Sequence, residues 1–591
     1  MKTIILKENK INIASEHFLA DYLISLGISP EKTNSFIYGP QEIDKDNPYD
    51  LDNMELALIT LYDKIKSGAS IFIQVDSDVD GFTSSAIFYS YFKERYPNLD
   101  ITWRLQNGKE HGVFVDTIPE KCKVVIIPDA GSMQMKEQEQ LKNAGKTVII
   151  LDHHSVTNYE TIENVVLVNN QSSKRFTNKY LSGAGVVYLF IEAYDKKYFD
   201  GSKHSFYLDL AALGIVSDMM DTRTLGNNYI IQKGLKQINN KMFQELLIKR
   251  AYSIQDVAAP TKIDIAFYIA PIINGLIRSG SQEEKELLFS AMLDNNNREL
   301  IEEEYRGKKR IETIYEKAAR IASNAKSRQD AAKKRSSAFL AQKIQSEGLD
   351  SNQIIVVKLE NNESSKVSAN ITGLSAMDLV KTYNKPALVL RETQIDGKTL
   401  FCGSGRSKDF NNLKSFLGFI RESNKAEYAE GHGNAFGAWF TEEGLKDFIQ
   451  YANEKLVNAD FNNEIIEIDY WFNDYINTKM LEEFGAGKHL YGAGIPQPKF
   501  AFTFDLNPSN LRSMGKDGNT MKITHSGIDF IMFNAEKPLR QLKNLPMAKI
   551  TIIGRSQINE YMGRSNVQVI IDDIDYDDIQ RPIMKKLEDL I

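Results

Sequence analysis

The spacing of apolar residues changes several times along the chain, and each change marks a different kind of structure. After the first few positions, apolar residues recur at helical spacing through residue 70, which predicts packed helices. From residue 71 to about 155, short apolar runs alternate with amphipathic stretches and predict β-strands connected by helices. This alternation is typical of an α/β domain with a parallel sheet, whose ligands bind beyond the carboxyl ends of the strands.

Three further regions follow in the second half of the chain. Residues 296–345 contain one glycine and no proline, which predicts a long connecting helix. Residues 346–460 alternate strands and helices again, which predicts a second α/β domain. Its strands are predicted at Gln353–Lys358, Ala387–Arg391 and Thr399–Gly403. Residues 461–591 contain five short strands with glycine and asparagine turns, a pattern typical of a small β-barrel, so residues 1–295 form the first of four predicted regions.

The first predicted strand of the parallel sheet, Ile71–Val75, leads directly into a cluster of aspartates. Asp76, Asp78 and Asp80 alternate along the chain and therefore share one side of an extended or turning backbone. Carboxylates that converge repel one another unless cations neutralise them. Gly81 is expected to turn the backbone tightly before a buried helix. The cluster is interpreted as a metal site or, alternatively, as a solvated acidic turn.

A calcium loop of the helix-loop-helix kind begins with the same D-x-D-x-D-G pattern. Such a loop requires a bidentate glutamate at its twelfth position, where this chain has Ile87. The motif also follows a predicted strand rather than a helix. Both observations argue against a calcium loop.

Further acidic and imidazole side chains end three more apolar segments of the chain. They are Asp129, the run Asp152, His153 and His154, and Asp218. Because the carboxyl ends of parallel strands meet at one edge of a sheet, we expect these side chains to converge with the aspartate cluster. Their recurrence favours the metal site over the acidic turn.

Composition and charge narrow the class of protein. The 591 residues are 42% apolar and 26% charged, as in ordinary globular proteins, and no apolar run reaches the length of a membrane span. The apolar run near the N-terminus is too short for a secretory signal. We therefore expect a cytoplasmic protein without a membrane partner. The two cysteines, Cys122 and Cys402, are expected to be buried thiols.

Local charge and glycine content point to phosphate binding in the second half of the chain. The net charge is −7, but residues 305–343 contain 12 Lys or Arg against 3 Asp or Glu. This basic stretch is interpreted as a phosphate-tracking helix or, alternatively, as a solvated helix face. The glycine-rich segments 403–407 and 430–437 are expected to bring backbone N–H groups and polar side chains to a phosphate, with surface turns as the alternative.

The motifs Asp76-x-Asp78-x-Asp80-Gly81, Pro128-Asp129, Asp152-His153-His154 and Ser217-Asp218 resemble those of the DHH phosphoesterase superfamily. Their arrangement, together with Leu181–Val186, Pro271–Asn274, Gly403–Ser407 and Gly431–Gly433, resembles the RecJ-like single-strand-specific exonucleases over nearly the whole chain. The order of the C-terminal strands also resembles the oligonucleotide-binding (OB) domain of these enzymes.

The resemblance implies two divalent metal ions, with Mn²⁺ preferred or Mg²⁺, and a set of ligands. The implied metal ligands are Asp76, Asp78, Asp80, Asp129, His153 and Asp218. It also implies that Asp152 is a further ligand or orients His153, and that His154 contacts the scissile phosphate. The implied substrate-binding residues are Asn274, Arg278, Ser404, Arg406, Ser407, Gly431 and His432.

These implications lead to a leading hypothesis and two alternatives. The first is an exonuclease that degrades single-stranded DNA 5′ to 3′ and releases 5′-mononucleotides in repair, recombination or replication. We expect it to act as a monomer, with a helicase or a single-strand-binding protein as a further partner. The alternatives are a phosphodiesterase for short oligonucleotides or cyclic dinucleotides and a scaffold that binds single strands without cutting. The OB-like region disfavours a phosphodiesterase for short substrates, because a two-nucleotide substrate does not need it. The presence of every acidic and imidazole position of the motifs disfavours a scaffold without activity.

Overall fold

The computed structural model describes residues 2–7, 16–106, 111–293, 297, 299–305, 307–395, 397–408, 410, 413–459, 461, 464–473, 475–515, 517–543, 548–561 and 563–575. The chain forms two compact units. The large unit comprises residues 4–323 and 467–591, and the small unit comprises residues 324–466 with residues 1–3.

The N-terminal region is helical after its first strand, as the apolar spacing predicts. Its elements are β1 (Lys2–Leu6), α1 (Phe18–Ser25), α2 (Thr33–Ile37) and α3 (Met54–Lys66). Residues Phe18 and Tyr22 of α1 are buried in the same hydrophobic core as Phe484 and Phe500 of the C-terminal region. The Tyr22 hydroxyl also donates a hydrogen bond of 2.8 Å to the Pro496 carbonyl oxygen. The first helices of the chain therefore pack against its C-terminal part within the large unit.

The predicted parallel sheet is present and forms the centre of the large unit. Its strands and connecting helices are β2 (Ile71–Val75), α4 (Val79–Arg95), β3 (Ile101–Leu105), β4 (Val124–Pro128), α5 (Met135–Asn143), β5 (Thr147–Asp152) and β6 (Val165–Asn169). The strand order is β3-β2-β4-β5-β6, and all neighbouring pairs are parallel. Every residue of β2, β4, β5 and β6 is buried, as expected for strands of a parallel sheet that helices cover.

Helices continue the large unit after the sheet. They are α6 (Gly183–Tyr198), α7 (Leu208–Ser217), α8 (Leu225–Lys236), α9 (Lys241–Lys249), α10 (Lys262–Asp264), a π-helical turn (Ile265–Ile269), α11 (Ala270–Ser279) and α12 (Gln282–Leu293). Helices α10 and α11 flank the π-helical turn without a break. Pro271 has no N–H group for the carbonyl four residues earlier, and a widened turn accommodates this missing bond.

The helix predicted over residues 296–345 is only partly present. The chain instead forms an antiparallel hairpin of β7 (Leu300–Tyr305) and β8 (Lys308–Thr313), and α13 (Ile314–Glu347) follows. Gly307 at the hairpin tip has a φ of 72°, which favours glycine and breaks a helix. Arg320 on α13 holds the hairpin through ion pairs with Glu303 and Glu312. The predicted basic run is thus divided between two elements, and Arg306 lies outside the described residues.

The small unit contains the predicted second α/β arrangement. Its elements are β9 (Ile355–Leu359), α14 (Thr372–Tyr383), β10 (Ala387–Ile395), β11 (Lys398–Arg406), α15 (Phe416–Ser423), β12 (Tyr428–His432), β13 (Ala435–Phe440), α16 (Glu442–Lys455) and β14 (Glu464–Ile468). The strand order of its main sheet is β12-β13-β11-β10-β9. Most residues of the two glycine-rich segments lie in paired strands, with a turn at residues 433–434, rather than in the loops expected there.

The C-terminal region of the large unit is a seven-stranded sheet with the order β15-β16-β20-β21-β19-β18-β17. Its elements are β15 (Tyr470–Phe472), α17 (Thr478–Ala486), β16 (Phe500–Leu506), β17 (Leu511–Met514), β18 (Thr520–His525), β19 (Ile528–Met532), α18 (Glu536–Lys543), β20 (Ala548–Tyr561) and β21 (Arg564–Asp575). All five predicted strands are present, with β15 and β17 in addition. The phenylalanines of this region mostly form its core.

Short 3₁₀ turns connect several of these elements. They are Pro30–Lys32, Glu42–Asp44, Pro48–Asp50, Val115–Thr117, His204–Tyr207, Leu349–Ser351, Ala369–Ile371, Gly487–Leu490 and Pro508–Asn510. Both cysteines are free thiols; Cys122 is buried as predicted, but Cys402 is only half-buried. None of the helices in the described part of the chain has the length and hydropathy of a membrane span.

The packing of β11 generates a test of the small unit. A Cβ atom on Gly403 would lie 2.0 Å from the Val389 carbonyl oxygen, whereas one on Gly437 would meet only the Gly403 carbonyl oxygen at 3.8 Å. We expect Gly403→Ala to lower the free energy of unfolding by about 1–3 kcal/mol, because backbone must move to admit the methyl group. Thermal unfolding followed by circular dichroism measures the change. Gly437→Ala is the matched control, and equal effects of the two would contradict this interpretation.

Candidate metal centre

The three alternating aspartates lie where strand β2 passes into helix α4. Asp76 follows the strand, Asp78 caps the helix, and Asp80 is in its first turn. The Asp78 Oδ1 atom accepts a hydrogen bond of 2.9 Å from the Gly81 amide. Gly81 is itself helical, so the tight turn predicted there is wrong. A Cβ atom on Gly81 would lie 2.6 Å from the Asp76 Cβ atom, and glycine is needed for this close approach.

The remaining acidic and imidazole side chains converge on the same place. Asp129 and Asp152 mark the ends of β4 and β5, and Asp218 ends α7. The His153 Nε2 atom lies 3.2 Å from Asp129 Oδ1, 3.5 Å from Asp218 Oδ2 and 3.9 Å from Asp80 Oδ2. Three overlapping groups have ligand atoms within 4.8 Å of one another: Asp76, Asp78 and Asp129; Asp80, His153 and Asp218; and Asp129, Asp152, His153 and His154. The structure therefore brings together all eight predicted residues.

Helix α6 begins directly against this cluster. The Asp80 carboxylate accepts hydrogen bonds from Ser182 Oγ at 2.9 Å, the Gly183 amide at 2.7 Å and the Ala184 amide at 3.1 Å. The N-terminus of a helix favours a negative charge, and these bonds hold the Asp80 carboxylate in place. A Cβ atom on Gly183 would lie 2.5 Å from the Asp129 Cβ atom. This segment thus positions two of the acidic side chains.

Asp152 is already saturated with hydrogen-bond donors. Its Oδ2 atom accepts from the Ser132 amide at 3.1 Å. Its Oδ1 atom accepts from the amides of His153 and His154 at 2.7 and 3.2 Å, and the ring Nδ1 of His154 lies 2.7 Å away. The sequence left Asp152 as a ligand or as the residue that orients His153. In the structure its side chain contacts the ring of His154, and it also belongs to one of the groups that could hold a metal ion.

Burial and mutual repulsion raise the pKa of several carboxyl groups in the cluster. Burial, with the charges of Asp76 and Asp80 added, raises the pKa of Asp78 to about 6. Burial and the charges of Asp80 and Asp78 raise the pKa of Asp218 to about 8. Burial and neighbouring acids likewise hold the pKa of Asp129 well above its ordinary value. The cluster therefore carries more negative charge than its surroundings neutralise.

Two observations fit this donor set to divalent cations. The Asp129 Oδ1 atom is buried and accepts no hydrogen bond among the described residues. Burial lowers the pKa of His153, which favours the neutral imidazole that binds metals. A bound cation would supply both the missing partner and the missing charge.

His154 has the opposite protonation behaviour. Burial alone would lower its pKa, but the hydrogen bond to Asp152 and that carboxylate's charge outweigh burial and raise the pKa to about 9. The same contacts hold the pKa of Asp152 below its ordinary value despite burial. His154 is therefore an exposed imidazole at the edge of a negative cluster, and its carboxylate neighbours favour the protonated ring.

Sequence reasoning missed His111 at this site. Its Nδ1 atom lies 2.9 Å from Asp76 Oδ2, and the neighbouring Gly112 amide donates to Asp76 Oδ1 at 3.2 Å. The hydrogen bond to Asp76 raises the pKa of His111, although burial opposes it. His111 follows the end of β3, the strand next to β2, and this position was the available signal.

The predicted substrate residues of α11 flank the cluster. Arg278 is exposed. Its positive charge lies close enough to Asp78 to lower the pKa of that carboxyl group, although burial and the neighbouring aspartates raise it. Asn274 is half-buried, and its Oδ1 atom is buried without a hydrogen-bond partner in the described structure. Helix α11 thus adds one cation beside the acidic cluster.

The other predicted substrate residues belong to the small unit. The hydroxyl groups of Ser404 and Thr372 are 3.0 Å apart, at the N-terminus of α14. A Cβ atom on Gly373 would lie 2.6 Å from Arg406 Nη2, so this guanidinium packs against the same helix end. Gly373 and Thr372 were not predicted. Ser404 and Arg406 therefore gather at a helix N-terminus, which favours anions.

Ser407, Gly431 and His432 have different surroundings. Ser407 is buried, and its hydroxyl donates to the Lys408 carbonyl oxygen at 2.9 Å. Gly431 has a φ of 135° and would place a Cβ atom 2.8 Å from the Ala435 carbonyl oxygen, so its glycine is required by the backbone. In the sheet, His432 is the cross-strand partner of Ala435, and Ala435 is the cross-strand partner of Arg406. The side chain of His432 lies outside the described residues.

Several known proteins resemble this chain in sequence and in structure. Residues 70–215 match the model of the DHH family, N-terminal domain, and residues 472–573 match that of the RecJ OB domain. The fold and the cluster thus define a DHH protein with an OB domain. The chain is 32% identical over 526 residues, 88% of its length, to a candidate single-strand DNA-specific exonuclease, YorK, of the SPbeta prophage of Bacillus subtilis strain 168, and covers 90% of it. The chain belongs to the RecJ family.

More distant relatives agree with this assignment. RecJ of Bacillus subtilis strain 168, a single-stranded-DNA-specific exonuclease, is 23% identical over 94% of this chain and 67% of its own length. The crystal structure of RecJ from Thermus thermophilus in complex with Mn²⁺ matches 98% of this chain and 80% of its own, with a TM-score of 0.70. At 17% sequence identity, the latter match shows a shared fold.

The contact between Gly183 and Asp129 generates a test of the centre. We expect Gly183→Ala to weaken Mn²⁺ binding about 10- to 100-fold. The added methyl group displaces Asp129 and disturbs the hydrogen bond that the residue 183 amide donates to the Asp80 carboxylate. Isothermal titration calorimetry with MnCl₂ measures the affinity. Ser85→Ala in α4 is the control, since that buried hydroxyl has no hydrogen-bond partner in the described residues. Unchanged affinity in Gly183→Ala would contradict the positioning role.

Proposed function

We propose that the protein is a metal-dependent exonuclease that degrades single-stranded DNA from its 5′ end and releases 5′-mononucleotides. The carrying observation is the convergence of five aspartates and one buried imidazole at the carboxyl edge of the parallel sheet. The names of the relatives support this substrate and reaction. DNA repair, recombination or replication is the proposed setting, in the cytoplasm, with the protein acting as a monomer on strands that a helicase or a single-strand-binding protein presents.

Two divalent cations, Mn²⁺ or Mg²⁺, fit the donor set of the centre. The residues that would hold them are Asp76, Asp78, Asp80, Asp129, His153 and Asp218. Carboxylate oxygens with one imidazole suit these cations better than a structural zinc ion. When bound, such ions activate water for attack on a phosphodiester and neutralise charge on the reacting phosphate.

The chain's own groups bind and orient the substrate around the cations. A protonated His154 donates a hydrogen bond to an oxygen of the scissile phosphate, and Asp152 fixes the orientation of its ring. Arg278 is exposed beside the same cluster and attracts the phosphodiester backbone. His111 holds Asp76 and restricts its rotamers. Asp152 and His111 are thus positioning residues.

The small unit is proposed to bind a phosphate at the N-terminus of α14. Arg406 supplies a planar guanidinium, which binds a phosphate bidentately, and Ser404 supplies a hydroxyl. The backbone amides at the start of a 12-residue helix add partial positive charge. Gly431 and His432 lie on β12, two strands away from β11 in the same sheet, and they are proposed as further residues of this phosphate site.

Asp129 gives the first test of the proposed reaction. We expect Asp129→Asn to reduce hydrolysis of single-stranded DNA on the order of 100-fold or more, because the variant loses a charged ligand, while strand binding in EDTA persists. Release of mononucleotides from a labelled strand in Mn²⁺ measures the rate. Asp63→Asn, at an exposed position of α3, is the control. Near-normal hydrolysis by Asp129→Asn would overturn the site, and preference for a dinucleotide over a long strand would favour the oligonucleotide alternative.

Arg406 gives a test of end recognition. We expect Arg406→Lys to raise the KM for 5′-phosphorylated strands about tenfold, because a lysine ammonium does not form the bidentate contact. Strands with a free 5′-phosphate, a blocked 5′ end and a blocked 3′ end are compared. Arg421→Lys, an exposed arginine of the same unit, is the control. Degradation that depends on the 3′ end instead would contradict the proposed polarity.

A further inference from the structure

A cavity of about 270 Å³ adjoins the metal centre within the large unit. We call it the Lys262 cavity. One wall begins at Val216 and Met219, on either side of the Asp218 position, and continues through Lys262 and Phe267. The opposite wall comes from residues 491–499 and Arg555 of the C-terminal region. The cavity therefore lies between the segment that carries Asp218 and the C-terminal region that matches the RecJ OB model.

The walls of the Lys262 cavity combine apolar surface with positive charge. Most lining side chains are apolar, and the charged ones are Lys262, Lys499 and Arg555, with no carboxylate among the described lining residues. Arg555 is held by Asp572 on the neighbouring strand, with 2.9 Å between Nε and Oδ2. An apolar cleft with a few fixed cations suits a ligand that has a flat apolar part and an anionic part.

Lys262 is the polar group best placed for a ligand. Its side chain is 3% exposed and lines the cavity, and it makes one hydrogen bond in the described part of the chain, to Thr222 Oγ1 at 3.2 Å. An ammonium group has three donors, so two remain for a ligand. Burial lowers the pKa of Lys262 to about 7, although the charge of Asp221 opposes this, so an acceptor in the cavity would favour the charged amine.

Phe267 is exposed at the mouth of the cavity. It is 69% exposed and belongs to the π-helical turn that precedes Pro271. The buried side chains of this segment are Ile265 and Ile269, and Phe267 lies on the opposite, solvent-facing side. Exposed aromatic rings beside cations are the usual platforms for unpaired bases.

We propose that the Lys262 cavity binds one nucleotide of the single strand, with its base stacked on Phe267 and an acceptor of the nucleotide bonded to Lys262. This proposal rests on the proposed function and adds a specific subsite to it. The cavity lies between the segment that carries Asp218 and the C-terminal region, so a nucleotide bound there would lie beside the chain segment of one proposed metal ligand. A nucleotide in the strand and a free mononucleotide share this chemistry, and the experiment distinguishes them.

The test compares strands that lack one base. A set of labelled strands of equal length carries a single abasic nucleotide at successive positions, and binding is measured in EDTA so that no strand is cut. In the wild-type protein we expect one position at which base removal weakens binding on the order of tenfold. In Phe267→Ala this loss disappears, because the stacking partner is already absent. Lys262→Met, which keeps the buried stem, is expected to weaken binding of the intact strand.

Matched controls and contrary outcomes are available. Tyr38→Ala removes an equally exposed aromatic ring outside the cavity and should bind all strands as wild type does. Mn²⁺ affinity of Phe267→Ala equal to that of wild type would exclude damage to the centre. If the abasic pattern is the same in Phe267→Ala and wild type, the subsite is wrong. If thymidine 5′-monophosphate alone binds wild type as tightly as the strand, and Phe267→Ala loses it, the cavity serves a free nucleotide and the assignment to the strand is overturned.

The result is separable from the proposed function. Failure of the wild-type protein to degrade single-stranded DNA with Mn²⁺ would overturn the function itself. Normal degradation with no dependence of binding on Phe267 would overturn only the subsite.

Discussion

The mutual repulsion of buried carboxylates is the constraint on which the rest of the structure depends. Several aspartates share one point at the end of a parallel sheet, where burial disfavours their charged forms. The protein offsets part of this cost with the N-terminus of α6 at Asp80 and with the His154 ring at Asp152. Gly81 and Gly183 permit the close approach, because a Cβ atom at either position would collide with an aspartate. Bound cations would neutralise the remaining charge.

Different elements handle the metal ions and the strand. The acidic cluster is fixed by strand ends and helix ends of the large unit, which are rigid, and it carries the proposed chemistry. Binding of the strand is distributed: Arg278 lies beside the cluster, Arg406 lies at a helix end of the small unit, and the Lys262 cavity adjoins Asp218. Each of these groups is suited to a nucleic-acid backbone or base rather than to a metal ion.

Local sequence patterns predicted the central sheet correctly because they record local physics. Apolar runs of strand length are buried in β2, β4 and β5, and each polar residue that ends such a strand lies at the sheet edge. The helix over residues 296–345 was less well predicted, since a single glycine at position 307 was outweighed by the helical composition around it. The glycines of β11 were misinterpreted for a related reason: sequence alone does not reveal whether a glycine serves a loop or close packing between strands.

The sequence by itself predicted the class of fold and the aspartates, His153 and His154 that end its apolar segments. Those features follow from periodicity and from residues placed directly at the ends of apolar segments. Only the tertiary structure decided that Asp152 contacts His154, that His111 joins the site, and that Phe267 borders a cavity next to Asp218. Each of these depends on side-chain directions or on contacts between segments distant in sequence, and neither is encoded in the local pattern of apolar and polar positions.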